Sequence, residues 1–295
     1  MDQPTWTIQR LLEWTTPFFT RKGLDSPRLS AELLLAHVLA VPRIKLYTDY
    51  QRIVGPDDLA RFKQLVQRAS ESEPVAYLTG RASFFNLELD VTPDVLIPRP
   101  DTEVLVENVV RLSRSQPGLD RPRVLDLCTG SGCVALAIAA NIKEAVVLAV
   151  EISHPAAKIA RQNAAKLNLA TRVTVLEGDL FAALTSPEDR RPVDFIVAKP
   201  PYIATQKIEK LDRVVRDFEP RAALDGGPDG LAIHRRILAG AAERLNPGGH
   251  VLLEIAFDQG KSALELPPQY PGLTNPRLLK DYAGHDRVLM ADKAE

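Results

Sequence analysis

The most informative segment of the chain reads Val124-Leu-Asp-Leu-Cys-Thr-Gly-Ser-Gly132. It predicts an apolar strand that ends in a glycine-rich turn, after which residues 134–140 continue as a helix. Gly130 and Gly132 permit a tight turn and a close approach of the backbone to a ligand. In open parallel sheets, ligands bind at the carboxyl ends of the strands, where the strand order reverses. The segment therefore predicts a ligand site at the end of this strand.

Predicted strands and helices alternate on both sides of this turn. Apolar runs predict strands at 123–127, 146–150, 173–176, 193–198, 251–255 and 287–291, and periodic stretches predict helices at 134–140, 156–167 and 231–245. This alternation is typical of an α/β fold with a parallel, doubly wound sheet.

The chain before this sheet has a helical pattern. Helices are predicted at 5–20 and 57–72, and another begins at Pro27 with Ser26 as its N-cap. Residues 83–98 alternate between apolar and polar and are interrupted by prolines, which predicts a hairpin linker. The predicted organisation is a helical N-terminal domain at 1–82, the linker at 83–98 and an α/β domain at 99–295.

Composition excludes several classes of protein. The 37 basic and 38 acidic residues give a net charge of −1, which argues against a broad basic surface for nucleic acid. No run reaches the roughly 20 apolar residues of a membrane span, and the N-terminus does not resemble a signal peptide. Two cysteines and five scattered histidines suit neither a disulfide framework nor a metal site. We therefore expect a cytoplasmic protein without a metal.

The turn and an acid that follows it restrict the ligand. Glu151 ends the next predicted strand about 20 residues later, where a carboxylate accepts hydrogen bonds from both hydroxyls of a ribose. The run Gly130–Ala135 also matches the dinucleotide pattern G-x-G-x-x-A. Asp126, however, would repel a pyrophosphate and attract a cation. This favours S-adenosylmethionine, which carries an ammonium and a sulfonium, over a dinucleotide, although both remain open at this point.

The strand at 193–198 is followed by Lys199-Pro-Pro-Tyr202. Neither proline can donate a backbone hydrogen bond, so the strand ends here in a stiff loop. The loop resembles the Asn-Pro-Pro-Tyr motif of methyltransferases that modify amide or exocyclic amino nitrogens.

Further segments resemble the PrmC/HemK family, the protein-(glutamine-N5) methyltransferases of peptide-chain release factors. They are 97–103, 126–132 with Glu151, 178–181, 219–224, 226–231, 246–250, 254–255, Asp281 and 286–288. The resemblance implies a seven-stranded, Rossmann-like class I fold preceded by a helical domain that helps to hold the release factor. It also implies methyl transfer from S-adenosylmethionine to the glutamine side chain of the Gly-Gly-Gln loop. The sulfonium supplies the electrophile, so no metal is implied.

The resemblance assigns site residues. The implied cofactor-binding residues are Asp126, Cys128, Thr129, Gly130, Ser131, Gly132, Glu151, Asp179, Leu180 and Lys199. The implied substrate-binding residues are Lys199, Pro200, Pro201, Tyr202 and Arg99. The predicted catalytic residues among them are Lys199, Pro200 and Tyr202. Pro200 offers a backbone carbonyl, and Tyr202 can pack its ring on the substrate amide. Arg99 could contact the substrate or serve as a structural ion-pair partner, and Glu254 is expected to be structural.

Lys199 stands where the family has asparagine. An amide nitrogen is a poor nucleophile because its lone pair is delocalised. In the family, the asparagine oxygen and the next carbonyl accept the two amide hydrogens and aim the nitrogen at the methyl carbon. A lysine ammonium has no acceptor and would lie near the sulfonium.

Three interpretations of Lys199 are open. In the first, it impairs or abolishes methyl transfer while the fold and the cofactor site persist. In the second, a cationic neighbour and partial burial lower its pKa, so that neutral Lys199 acts as an acceptor or a base. In the third, the side chain swings out and water or another group substitutes.

Three rival functions are also considered. An N6-adenine methyltransferase of nucleic acid would share the proline loop, but the near-neutral charge counts against it. A paralogue without turnover would bind cofactor or release factor only, and Lys199 is the support for it. A dinucleotide oxidoreductase is disfavoured by Asp126.

Overall fold

The computed structural model describes residues 5–295 and separates them into two units. The helical unit contains the residues up to Arg81 together with Asp212–Phe218, and the sheet unit contains Ala82–Leu211 and Glu219–Glu295. The segment Asp212–Phe218 falls in the helical unit although it lies within the predicted α/β domain along the chain. It is too short to carry a periodic pattern of its own.

In the part of the chain before Arg81, the helical unit contains five helices. They are α1 (Ile8–Lys22), α2 (Pro27–Leu39), α3 (Arg43–Thr48), α4 (Pro56–Ser70) and α5 (Val75–Thr79). Their apolar faces enclose a core that includes Leu12, Phe19, Leu34 and Phe62. As predicted, α2 begins at Pro27 and its N-cap residue is Ser26. Its backbone is left-handed (φ 46°), and its hydroxyl makes no capping hydrogen bond within the described structure.

A short hairpin and the main sheet follow. The hairpin consists of β1 (Arg81–Phe84) and β2 (Leu87–Asp90). The strands of the main sheet are β3 (Arg123–Leu127), β4 (Val146–Glu151), β5 (Val173–Glu177), β6 (Val193–Ala198), β7 (Leu245–Glu254), β8 (Leu273–Lys280) and β9 (Asp286–Lys293). The remaining helices are α6 (Glu103–Ser115), α7 (Cys133–Asn141), α8 (His154–Lys166), α9 (Arg213–Arg216), α10 (Ala232–Arg244) and α11 (Gly260–Leu264).

The main sheet has the order β5-β4-β3-β6-β7-β9-β8. The first five strands are parallel, and β9 is antiparallel to β7 and β8. The central strands are buried on both faces, as parallel sheets require. Val124 and Leu125, neighbours in β3, belong to the apolar cores on opposite faces. The predicted seven-stranded α/β fold is therefore confirmed.

No helix in residues 5–295 is long and apolar enough to cross a membrane.

Candidate active site

A cavity of about 290 Å³ lies at the carboxyl edge of the main sheet. The strand order reverses between β3 and β6, which is where open α/β sheets bind ligands. The lining residues come from 94–98, the end of β3 with the turn and the start of α7 that follow it, the end of β4 and the first turn of α8, residues 178–180 after β5, the loop after β6, residues 220–225 and α10. All of them belong to the sheet unit.

The glycine turn holds Glu151 in place. The Gly130 amide donates to Glu151 Oε2 at 2.8 Å, and the Ser153 amide donates to Oε1 at 2.9 Å. Gly130 has a φ of 56°, a conformation that glycine adopts without strain. Both carboxylate oxygens are thereby oriented, and each keeps a lone pair for a ligand.

Asp126 lies at the end of β3 and is almost completely buried. Thr129 Oγ1 donates to its Oδ2 at 2.5 Å. Burial raises the pKa of Asp126 to about 7, although the hydrogen bond from Thr129 and the backbone of Ala135 act in the opposite direction. Asp126 is therefore not a permanent anion, because its charge changes near neutral pH.

Two non-glycine residues at the cavity have a left-handed backbone. Cys128 has a φ of 61° and Leu180 a φ of 49°, a conformation that is rare for bulky side chains and is often found at functional sites. Burial raises the pKa of the Cys128 thiol above its usual range and that of Cys133 to about 12. Both cysteines therefore stay protonated at neutral pH, which does not suit a nucleophile.

The structure places Gly132 differently from the other predicted cofactor residues. It is absent from the cavity lining, whereas the remaining nine line the cavity. Its φ is 84°, and a Cβ atom there would lie 3.1 Å from Leu136 Cδ1 and 3.4 Å from Ala160 Cβ. Gly132 thus allows α7 to begin close to α8. This position does not favour the direct contact with the cofactor that was predicted for Gly132.

Asp179 has a partner that the sequence analysis missed. Arg236 on α10 donates to Asp179 Oδ2 at 2.7 Å, and both side chains are about half exposed at the cavity. Arg236 occupies an ordinary helical position, and its sequence context carries no signal for this contact.

The loop after β6 brings Lys199 against a buried acid. Lys199 Nζ forms an ion pair with the carboxylate of Glu254, lies 3.3 Å from Tyr202 Oη, and stands 4.8 Å from the centroid of the Tyr202 ring. The side chains of Lys199 and Glu254 are only 11% and 1% exposed. Lys199 and Pro201 line the cavity, whereas Pro200 and Tyr202 are not among the lining residues.

The ion pair bears on two of the interpretations of Lys199. Burial alone would lower the pKa of Lys199, but the charge and hydrogen bond of Glu254, together with Tyr202, outweigh it and raise the pKa above its usual value. The ion pair with Glu254 thus favours the charged ammonium over the interpretation that Lys199 is neutral. The interpretation that it swings out is also not what the structure shows, because the side chain points inward to Glu254.

The proline loop is braced from two sides. Gln259 Nε2 donates to the Tyr202 carbonyl at 3.0 Å and is 3.3 Å from the Asp229 carbonyl. A Cβ atom on Gly226 would stand 2.6 Å from the Pro201 carbonyl oxygen, so the loop can approach only because residue 226 is glycine. The backbone of Pro201 and Tyr202 is therefore fixed by its neighbours.

Arg99 forms the structural ion pair that was one of its two predicted roles. Its guanidinium contacts the carboxylate of Glu219, whose side chain is fully buried. The same carboxylate accepts from the Ile97 amide at 3.3 Å. Glu219 therefore joins the cavity segment 94–98 to residues 219–225. Arg99 itself is not among the lining residues.

The polar groups around the cavity match one type of small molecule. Asp126 can face a cation, and Glu151 can accept from two hydroxyls. Ser131 Oγ is buried with no hydrogen-bond partner in the described part of the chain, although it lines the cavity. Val95, Ile152 and Leu180 supply apolar walls. These residues fit a ligand that has an ammonium, a ribose and a flat heteroaromatic ring, as S-adenosylmethionine has.

Family models and relatives agree with this arrangement. Residues 10–80 match the model of the PrmC N-terminal domain, and residues 89–225 match that of conserved hypothetical protein 95. The release factor glutamine methyltransferase of Rhodopirellula baltica is 42% identical over 99% of this chain and 98% of its own length. That of Moorella thermoacetica is 43% identical over 92% and 94%. The chain belongs to the release factor glutamine methyltransferase family. The resemblance inferred from the sequence is thus confirmed, and the dinucleotide oxidoreductase alternative is wrong.

A solved structure has a similar fold. A methyltransferase from Pyrococcus furiosus is 20% identical and covers 78% of this chain and 98% of its own, with a TM-score of 0.52. This chain therefore shares its fold with that methyltransferase.

Proposed function

We propose that this chain transfers a methyl group from S-adenosylmethionine to the side-chain amide nitrogen (N5) of the glutamine in the Gly-Gly-Gln loop of a peptide-chain release factor, in the cytoplasm. One observation carries the proposal. The cavity that presents Asp126 and Glu151 also reaches Lys199 and Pro201 of the proline loop. A cofactor site and a loop suited to an amide thus share one space.

The cofactor-binding roles follow from the positions of the side chains. Glu151, held by two backbone amides, accepts the ribose hydroxyls. Asp126 as a carboxylate pairs with the ammonium, and Asp179 at the other end accepts from the adenine amine. When bound, S-adenosylmethionine supplies the electrophilic methyl group on its sulfonium. No residue has to activate that methyl group, so the protein has only to bind and orient the reactants.

The substrate amide is held with one acceptor fewer than the family motif provides. The Pro200 carbonyl accepts one amide N–H, and the ring of Tyr202 limits the position of the amide. Lys199 is an ammonium and accepts nothing. We therefore adopt the first interpretation: the chain binds the cofactor, and Lys199 slows methyl transfer.

The test is radiolabelled methyl transfer to a purified release factor by this chain and by Lys199→Asn. We expect the substitution to speed transfer about tenfold or more, in line with the cost of losing one positioned hydrogen-bonding group. A release factor whose motif glutamine is replaced should take up no label. Label on that variant would contradict the proposed acceptor. Equal rates for the two enzymes would contradict the role given to Lys199.

The alternative of an N6-adenine methyltransferase is less well supported. The net charge of −1 does not supply the cationic surplus that a phosphate backbone needs. The same labelling reaction with DNA or RNA in place of the release factor tests it directly, and transfer to either would replace our proposal.

A further inference from the structure

Glu254 and Lys199 meet because of strand register. Ala198 at the end of β6 pairs with Leu253 of β7, so Lys199 and Glu254 are the next residues along two adjacent parallel strands. Glu254 is also tied to β9 through its pairing with Val288. The register therefore fixes the carboxylate next to Lys199, independently of the flexible lysine side chain.

Among residues 5–295, Glu254 forms an ion pair with Lys199 and with no other side chain. The second carboxylate oxygen, Oε2, is buried and has no hydrogen-bond partner in that range. His234 on α10 donates from Nε2 to the Glu254 backbone carbonyl at 2.8 Å. Burial lowers the pKa of His234 to about 4, so this histidine brings no charge at neutral pH. Arg287 on β9 is already engaged by Asp281 and Asp101.

The ion pair lies at the wall of the cavity in which a cationic methyl donor would bind. Two unlike charges that are buried together form a nearly neutral unit, whereas removing one of them leaves an uncompensated charge in a medium of low dielectric constant. An uncompensated ammonium at residue 199 would repel a sulfonium in the same cavity. At an effective dielectric constant near 20 and a separation of several ångströms, this repulsion would weaken binding by about tenfold or more.

We infer that Glu254 is a positioning residue whose carboxylate cancels the charge of Lys199 and thereby keeps the cavity open to a cationic methyl donor. The inference rests on the proposed function, since it takes S-adenosylmethionine as the ligand. Glu254, which was expected to be structural, thereby also acts on cofactor binding.

S-adenosylhomocysteine provides the matched probe. It has the same ammonium, ribose and adenine as S-adenosylmethionine but a neutral thioether in place of the sulfonium. The ratio of the two dissociation constants, measured by calorimetry, therefore isolates the effect of the sulfonium charge. Any effect of Asp126 on the ammonium cancels in this ratio.

We expect opposite shifts for the two single variants. Glu254→Gln, measured at mildly acidic pH so that the buried amine stays protonated, leaves the ammonium uncompensated and should weaken S-adenosylmethionine about tenfold or more relative to S-adenosylhomocysteine. Lys199→Met, measured at mildly alkaline pH so that the buried acid stays ionised, leaves a lone carboxylate and should shift the ratio in favour of S-adenosylmethionine. The double variant has neither charge, and its ratio should return to within about twofold of the original chain.

The outcomes separate the two hypotheses. A structural role for Glu254 would weaken both ligands equally, so unchanged ratios in both single variants would overturn the inference. If Glu254→Gln does not fold, Lys199→Met and the double variant still have to differ in the predicted direction, and equal ratios for these two overturn it. If the original chain binds neither ligand, the proposed function fails as well. Intact binding with unchanged ratios overturns only the role of Glu254.

Discussion

At the scale of single residues, the carboxyl group of Asp126 should make cofactor binding depend on pH. Burial raises its pKa to about 7, so it is protonated below and ionised above that value. Only the carboxylate attracts an ammonium. We expect the affinity for S-adenosylmethionine to rise by up to about tenfold per pH unit from roughly pH 5 to pH 7, and to level off above pH 8. Calorimetry at pH 5.5, 6.5 and 8 measures this.

The control for this prediction is Asp126→Asn. It should bind more weakly at pH 8 and show little pH dependence between 5.5 and 8. A flat profile for the original chain would contradict the prediction. The free energy of unfolding without cofactor should also depend on pH. Because the pKa of Asp126 is raised in the folded state, its contribution to stability is complete below about pH 4 and is lost as the pH rises through 7.

The sequence identified most of the site residues because of where they lie along the chain. Asp126, Glu151 and Lys199 each stand at or just after the end of a buried strand, and such residues meet at one edge of a parallel sheet. The same reasoning could have paired Lys199 with Glu254, which also ends a strand. It could not provide the charge of Asp126 or Lys199, because that depends on burial and on neighbours from other strands.

At the scale of elements, the position of the loop that contains Lys199 should depend on the absence of a side chain at Gly226, which packs against this loop. Gly226→Ala would place a Cβ atom 2.6 Å from the Pro201 carbonyl oxygen, so the loop has to shift. We expect methyl transfer to fall about tenfold or more, since small misplacements of reacting groups are costly. The affinity for S-adenosylhomocysteine should change by less than about threefold, because Glu151 and Asp126 belong to other segments.

The matched control is Gly55→Ala. Apart from atoms of Gly55 itself and of its two chain neighbours, no heavy atom of residues 5–295 lies within 4 Å of the position of its Cβ, and like Gly226 it does not have a positive φ. Its transfer rate should stay within about twofold of the original. A Gly226→Ala enzyme with normal kinetics would show that the contact does not position the loop.

The ion pair between Arg99 and Glu219 gives a prediction about stability. Glu219→Gln removes a fully buried charge that binds Arg99 and the Ile97 amide. Arg99 is 33% exposed, so water compensates part of the loss, and we expect the free energy of unfolding to fall by about 1–3 kcal/mol. Urea denaturation measures this, with Glu188→Gln as a control because the Glu188 side chain is 62% exposed in its ion pairs with Arg191 and Arg123. An equal effect of both changes would contradict the assigned role.

Elements differ in how far the sequence reveals them. The strands at 123–127 and 193–198 have the predicted limits, because each is a mostly apolar run between turn residues. The sequence analysis did not predict α6 or β8. Strand β8 contains Pro276 and lies at the edge of the sheet, where proline is tolerated but obscures the strand pattern. Ser26 is the N-cap residue of α2 as predicted, but its hydroxyl makes no capping hydrogen bond within residues 5–295, and the sequence pattern does not reveal that difference.

At the scale of the whole molecule, the sequence separated a helical region from a sheet region because their hydrophobic periods differ. It placed residues 1–82 apart from the α/β region, and these limits stay a prediction. It did not anticipate that Asp212–Phe218 would fall in the helical unit. The unit to which such a short segment belongs is decided by its tertiary contacts, and local periodicity does not reveal these contacts.

The division into units predicts where cofactor binding should stabilise the chain. Every residue that lines the cavity belongs to the sheet unit. A ligand at 100 times its dissociation constant stabilises the state that binds it by about 2.7 kcal/mol. Hydrogen exchange in the turn after β3 and at the ends of β4 and β5 should therefore slow when S-adenosylhomocysteine is added. Exchange in α1, α2 and α4 should stay unchanged, because these helices supply no residue to the cavity.

Mass spectrometry of deuterium uptake with and without the ligand makes this comparison. The control is Glu151→Ala, which removes the acceptor for the ribose hydroxyls and should abolish most of the protection at the same ligand concentration. Equal slowing in both units would show that they open as one cooperative structure, since a ligand protects only those amides whose opening also destroys its site. Slowing confined to the sheet unit would instead mean that the helical unit opens without loss of the cofactor site.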